Sequence, residues 1–398
     1  MSGRSGWALL AALMLVPPFL APPFLVTRAR AQAVFEIPVV LPLSGGAAFL
    51  GQSERRSLEI AQTVINAEGG IGGTRLQFAY HDDQSSPSVA VQLANQIKEA
   101  HPPIVLGSAI VAMCNAMAPV MADGPVLYCF SPGVHPTEGS RLFSAFVSTH
   151  DTAPALVRYY RSRGFTRLAM ITSTDASGQD GRLAFEEAMR RPENAGLKMV
   201  ASVQFNPSDV SVAAQVQQMK SAGAEAVIAW TSGAPMGTVL KGLIQGGVEV
   251  PVGTTDANMT VAQMQQYAGF TPAEMLFMST QWPPHGPEVS LDPRVTAAQT
   301  PMFAAYAAAG VTPDIALAHA WDPAMLAVAA LRQLGTGAGA EQMRAWLAGV
   351  KGWGGVNGVY DFERTPQRGL DESGAVVTRW QPDRKVWTIV SKPGGEKL

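Results

Sequence analysis

From residue 34 onward the chain alternates short apolar runs with amphipathic stretches, and this alternation leaves few folds open to it. Strand-like runs fall at 37–41, 76–80, 104–106, 126–130, 168–171, 199–203 and 226–230. Between them, helical spacing marks 53–67, where Leu58, Ala61 and Ile65 share a face, then 88–100, 112–122, 152–163, 182–191, 212–222 and 236–246. A β-α-β-α order of this kind calls for α/β architecture: doubly wound parallel sheets with helices on both faces. Turn chemistry agrees, because the glycines of "AEGGIGG" at 67–73 and "SAGA" at 221–224 stop a helix just before a strand.

One sheet holding every strand would be very wide, and the pattern breaks three times. "VSTHDTA" at 147–153 interrupts the first series. The Pro-rich "QWPPHGPEVSLDP" at 281–293 leads into long helical segments near 296–309 and 315–334, and the tail turns to short strands in "GVYDFE", "AVVTRWQ" and "KVWTIV". The breaks predict two lobes exchanging segments, one from 34–149 and 279–352, the other from 150–278 and 353–398. A length of 398 residues is ample for two such cores.

Before residue 34 the sequence reads as a signal peptide over 1–31. Arg4 opens it, an apolar run follows at 7–26, and Ala29-Arg30-Ala31 supplies the small residues of a cleavage site. Prolines at 17, 18, 22 and 23 oppose a continuous membrane-spanning helix. The mature chain should therefore start near Gln32 and be soluble outside the cytoplasm, which the resemblance given below narrows to the periplasm. In that oxidising compartment Cys114 and Cys129, the two cysteines of the chain, are candidates for one disulfide, the alternative being a pair of buried thiols. A net charge of −2 without a basic run gives no electrostatic reason to expect nucleic acid.

Enzyme signatures are missing. The glycine-rich "PLSGGAAFLGQ" at 42–52 has neither the lysine nor the glycine spacing of a phosphate loop, and there is no G-x-S-x-G or H-E-x-x-H. The six histidines, at 81, 101, 135, 150, 285 and 319, show no metal-ligand spacing, so neither metal nor cofactor is expected. Polar residues recur immediately after strands instead: Ser108, "SPGVHPT" at 131–137, "STDASGQDG" at 173–181, "TSGAP" at 231–235 and Asp256. Ligands of parallel α/β sheets bind beyond the carboxyl ends of strands, which points to a cleft between the lobes.

Several stretches carry a family resemblance. "IPVVLPLSGGAAFLGQ", "AQTVINAEGGIGGTRLQFAYHDDQSSPSVAV", "IVLGSAI", "AMAPVMADGPVLYCFSPG", "STDASGQDG", "AGAEAVIAW" and "GVNGVYDFE" resemble, in order, the branched-chain amino-acid-binding type of periplasmic ABC-transporter receptor, the type I solute-binding proteins. The resemblance implies two lobes joined by three crossovers, capture of a small molecule by hinge closure, delivery to an ABC permease in the inner membrane, and no catalysis. The expected assembly is a monomer.

Carrying over the family's binding residues exposes departures. The serine that holds a ligand carboxylate falls on Val111, beside Ile110. The carboxylate- and ammonium-binding threonine falls on His135, so backbone N–H groups of Gly133, Val134 and His135 become the expected donors. Flanking aromatics fall on Leu50, beside Phe49 in the opening loop, and on Ser177 and Ser232, which leaves Trp321 as the retained aromatic. Asp256 stands where the acidic partner of the ligand ammonium is found. The set suits an amino acid or an aromatic or aliphatic carboxylate. A sensory receptor of the same fold feeding a signalling protein, or an amidase-like α/β enzyme, are the alternatives.

Overall fold

The structure is a computed structural model that describes residues 34–284 and 289–398, besides Met1 and Gly3. Apart from Met1 and Gly3, the signal segment expected over 1–31 lies outside the described residues, as does His285.

The first run of elements is β1 (Val34–Leu41), α1 (Ala48–Ala67), β2 (Arg75–Asp82), α2 (Pro87–Glu99), β3 (Ile104–Gly107), α3 (Val111–Met121), β4 (Val126–Cys129) and β5 (Leu142–Ser144). The second is α4 (Thr149–Ser162), β6 (Arg167–Ser173), α5 (Ala176–Arg190), β7 (Lys198–Phe205), α6 (Ala213–Ser221), β8 (Ala226–Trp230), α7 (Pro235–Gln245), β9 (Val252–Thr254), α8 (Val261–Gln266) and β10 (Met275–Ser279). Then come α9 (Pro293–Ala308), α10 (Ile315–Leu334), α11 (Ala340–Ala348), β11 (Lys351–Gly354), β12 (Val359–Asp361), β13 (Val376–Gln381) and β14 (Val386–Ile389).

The strands form a five-stranded sheet in the order β2-β1-β3-β4-β5, parallel throughout, and a seven-stranded sheet in the order β14-β13-β10-β9-β8-β6-β7. The second sheet is parallel from β7 to β10 and antiparallel at the β10-β13-β14 edge. Strands β3, β4 and β8 are buried along their whole length. They read as unbroken apolar runs because helices cover both faces. In the first sheet these are α2 and α3 on one side and α1, α10 and α11 on the other. Cys114 in α3 and Cys129 at the end of β4 are bonded, with Cα atoms 6.2 Å apart, which fastens α3 to its sheet. Among the described residues no helix is long and apolar enough to cross a membrane.

Three differences from the sequence pattern have physical causes. Helix α1 starts at Ala48, not near Ser53, so the last five residues of "PLSGGAAFLGQ" belong to its first turns. Helix α5 starts at Ala176, not Arg182, because the Asp175 carboxylate accepts the Gly178 N–H at 2.9 Å and caps a glycine-rich turn. The tail from 353 to 370 was expected with the second sheet, but its hydrogen bonds go to the first sheet and α10. Asp322 accepts from the N–H groups of Val356 (2.8 Å) and Asn357 (3.1 Å), and the Ser144 N–H donates to the Gln367 carbonyl at 3.0 Å. The chain joins the second sheet only at β13.

Candidate functional site

Each sheet reverses its strand order at one place: between β1 and β3 in the first, and between β6 and β8 in the second. The loops leaving the carboxyl ends around these switch points line a small cavity with about 20 Å³ of enclosed space. Ala109, Ile110 and Val111 follow β3, Ser131, Pro132 and Gly133 follow β4, and Thr149 opens α4. Facing them are Ser177 and Asp180 of α5, Trp230 and Ser232 at the end of β8, and Thr255 and Ala257 after β9. The wall is a mixture of aliphatic side chains and hydroxyls, with one carboxylate.

Three local features set its chemistry. Helix α3 begins at Val111 without a side-chain cap, so the N–H groups of its first turn and the positive end of its dipole face a cavity that Ile110 and Val111 line. The Ser177 and Ser232 hydroxyls lie 3.0 Å apart and hydrogen-bond across the second sheet's side of the cavity. Gly133 allows a close approach: a Cβ there would stand 2.8 Å from both Asp180 Oδ2 and Val111 Cγ2.

Of the residues expected from sequence, Ile110, Val111, Gly133, Ser177 and Ser232 meet at this cavity. The others lie elsewhere. Ser108 is buried and donates to Asp83 Oδ2 at 2.5 Å. Val134 packs in the core while its carbonyl accepts from buried Arg368. Leu50 is a core residue of α1 and Phe49 beside it is partly exposed, so the opening loop supplies no lining side chain. Trp321 packs 6.1 Å from Tyr306 in the core, and the aromatic on the cavity wall is Trp230, which spacing did not single out. His135 does not line the cavity; its Nε2 meets Asp180, a residue of the cavity wall, at 2.6 Å. Asp180 and Ser131 sat inside stretches already conspicuous after strands, whereas nothing in the sequence marked Thr149 or Ala257.

Asp256 lies between two lining residues, Thr255 and Ala257, but does not itself line the cavity. It is 3% exposed and is held by a residue of its own chain, His319 of α10, whose Nε2 lies 2.9 Å from Asp256 Oδ2. Oδ1 of Asp256 accepts from the Thr255 hydroxyl (2.7 Å) and the Ala257 N–H (2.9 Å). On the other side of the ring, His319 Nδ1 is 3.3 Å from Glu54 Oε1 of α1. Burial alone would lower the His319 pKa, but the hydrogen bond and charge of Asp256, joined by Glu54, lift it to about 9. Burial drives Glu54 up to about 7 despite the pull of His319. His319 thus lies between two buried acids, one following β9 of the second sheet and one on a helix of the first.

A second group lies at the rim. His135 Nε2 is 2.6 Å and His150 Nε2 3.4 Å from the same oxygen, Asp180 Oδ1, and the two rings meet edge-on with centroids 4.9 Å apart. His150 Nδ1 is 2.9 Å from Glu187 Oε2.

Comparison with known proteins gives one consistent relationship. The sequence model of a family described as periplasmic binding protein matches residues 35–385. Leu/Ile/Val-binding protein homolog 3 of Brucella melitensis is 28% identical over 202 residues, 50% of this chain and 54% of that protein. A leucine-, isoleucine-, valine-, threonine- and alanine-binding protein of Pseudomonas aeruginosa is 23% identical over 238 residues, 58% of this chain and 63% of that one. The chain therefore spans less than two thirds of the length of these curated relatives. An extracellular ligand-binding receptor from Rhodopseudomonas palustris HaA2 shares the fold with a TM-score of 0.78 at 20% identity, covering 90% of this chain and 100% of the other. Two further solved structures share it at a TM-score of 0.72 and 18% identity. The branched-chain amino acid transporter substrate binding protein of Streptococcus pneumoniae, in complex with isoleucine, covers 90% of this chain and 99% of its own. A solute binding protein from R. palustris, in complex with benzoate, covers 92% and 100%.

Proposed function

The chain belongs to the periplasmic binding protein family, and from that premise we propose that it captures a small organic carboxylate between two lobes and presents it to an ABC permease of the inner membrane. The lobes in this reading are 34–149 with 279–352 and 150–278 with 353–398, the stretch 353–370 riding with the first. The observation that carries the proposal is the convergence of loops from both switch points on one small cavity. A chain with a cleaved leader would work there as a monomer, without a cofactor and without catalysis.

The solute's carboxylate sits at the start of α3, where unpaired N–H groups and the helix dipole favour an anion. The Ser131, Thr149, Ser177 and Ser232 side chains surround the rest of the molecule. Isoleucine and benzoate, bound by two proteins of this fold, are both carboxylates and differ in the ammonium. Asp256, the counterpart of the ammonium-binding acid, is occupied by His319 and is not on the cavity wall. This supports a carboxylate without an α-amino group.

Mass spectrometry of small molecules released on denaturing protein purified from periplasm tests both parts. The expected result is a stoichiometric aromatic or aliphatic acid. A leucine-like amino acid would overturn the choice of solute but keep the transport reading, and turnover of the compound by the purified protein would overturn both.

A further inference from the structure

The rim cluster has more ligand-forming groups than a simple ion pair needs. His135 comes from the loop after β4 of the first sheet, and Asp180 from α5, which packs on the second; His150 lies in the first turn of α4, against α5. One ring nitrogen from each histidine and one carboxylate oxygen of Asp180 all lie within 4.8 Å of one another. We propose that His135, His150 and Asp180 form a three-ligand site for a divalent transition-metal ion of the zinc class, which ties the two sides of the cleft together at its rim.

Proton placement points to a cation here. If His150 donates its Nδ1–H to Glu187, as the 2.9 Å contact requires, its Nε2 presents a lone pair to Asp180 Oδ1 at 3.4 Å. The same oxygen is already approached by His135 Nε2 at 2.6 Å. With a neutral His135 donating its Nε2–H to that oxygen, the His150 Nε2 lone pair is left facing a carboxylate oxygen at 3.4 Å, an acceptor against an acceptor. A single divalent ion bonded to both Nε2 atoms and to Oδ1 satisfies all three, and Glu187 then becomes the carboxylate that orients a metal-bound histidine.

The geometry is compatible. Metal–nitrogen and metal–oxygen bonds near 2.1 Å at tetrahedral angles place neighbouring ligand atoms roughly 3.4 Å apart. The His150–Asp180 separation of 3.4 Å has that value. The His135–Asp180 separation of 2.6 Å must widen, and the His135 side chain, 46% exposed, has room to move. Two imidazoles with a carboxylate suit zinc, nickel, copper or iron(II); magnesium and calcium prefer all-oxygen shells. The fourth position is open to water. Asp180 also lines the solute cavity, so the ion and the solute share a wall.

The test uses untagged mature protein stripped with a chelator and free of solute, titrated with Zn²⁺ by calorimetry and with Co²⁺ by its visible d–d absorption. One ion per chain is expected. His135→Ala and His150→Ala should each weaken binding at least ~10-fold, and Glu187→Gln by a smaller factor. Both histidines are partly exposed, so the variants should keep the native circular dichroism and melting profile. Absence of stoichiometric binding, or binding unchanged in both histidine variants, overturns the proposal. Because solute plays no part in the measurement, this result stands apart from the fate of the carboxylate reading.

Discussion

At the scale of single residues, His319 decides how two buried acids are tolerated. An isolated buried carboxylate is costly, and removing one partner of a buried ion pair leaves the other uncompensated. His319→Gln should therefore lower stability by about 3–5 kcal/mol in urea unfolding. A loss below ~1 kcal/mol would mean that Asp256 is satisfied by Thr255 and Ala257 alone. The pH dependence has a definite sign. His319 is raised from 6.5 to about 9, so its contribution is complete below pH 6.5 and is lost as pH rises through about 9. Glu54, raised from 4.5 to about 7, acts in the same direction at lower pH, through protonation favoured in the folded state. The urea midpoint of the native protein should fall between pH 6.5 and 9, and that fall should flatten in the Gln variant. Sequence could not show this pairing: Asp256 stood out because it follows a strand, but its partner lies 63 positions away inside an apolar helix, where a histidine carries no local signal. The same holds for His135, His150 and Asp180, whose separations match no metal motif and which only the tertiary approach of the loop after β4 to α4 and α5 brings together.

At the scale of elements, strand and helix order was legible because fully buried parallel strands and amphipathic helices have different periods. What escaped were pieces too short to show a period. Strand β5 has three residues, and α8 has six. The start of α1 escaped because glycine, serine and alanine read as loop before a helix as readily as inside one. Helix α3 matters most to the site, since its N-terminus is where the proposed carboxylate sits and Cys114–Cys129 ties the helix to β4. Closing a loop of 15 residues corresponds to about 3 kcal/mol of unfolded-chain entropy. The double variant Cys114→Ser/Cys129→Ser should lose about 2–4 kcal/mol in denaturant titration and bind the solute more weakly than the native protein. Unchanged affinity alongside the expected loss of stability would show that sheet packing alone positions α3. Gly133→Ala, on the same wall, should fold but lose affinity at least ~10-fold in calorimetry, because its Cβ would crowd Asp180 and Val111 at the proposed cavity.

At the scale of the whole molecule, the two halves meet through a few backbone contacts as well as through the charged clusters. The Ala234 N–H donates to the Gly46 carbonyl at 3.0 Å, and the Ile315 N–H to the Met259 carbonyl at 3.1 Å. His319 and Asp256 join α10 to the loop after β9. In the proposed capture cycle these contacts belong to the closed form, and opening would break them while leaving each sheet intact. Gly233 is the position where this can be tested with least disturbance. Its φ of +76° is one that L-residues rarely adopt, and an added Cβ would stand 2.5 Å from the Gly46 carbonyl across the cleft. Gly233→Ala should therefore keep both cores yet fail to close. X-ray scattering of the native protein should show a smaller radius of gyration on adding solute, while the variant should stay expanded and bind at least ~10-fold more weakly. The strain of the new side chain costs about 1–2 kcal/mol locally, too little to unfold a domain of this size, so a melting curve near native accompanies the expected result. If the variant compacts like the native protein, closure does not run through the Gly46–Gly233 contact, and the His319–Asp256 pair becomes the contact to break next.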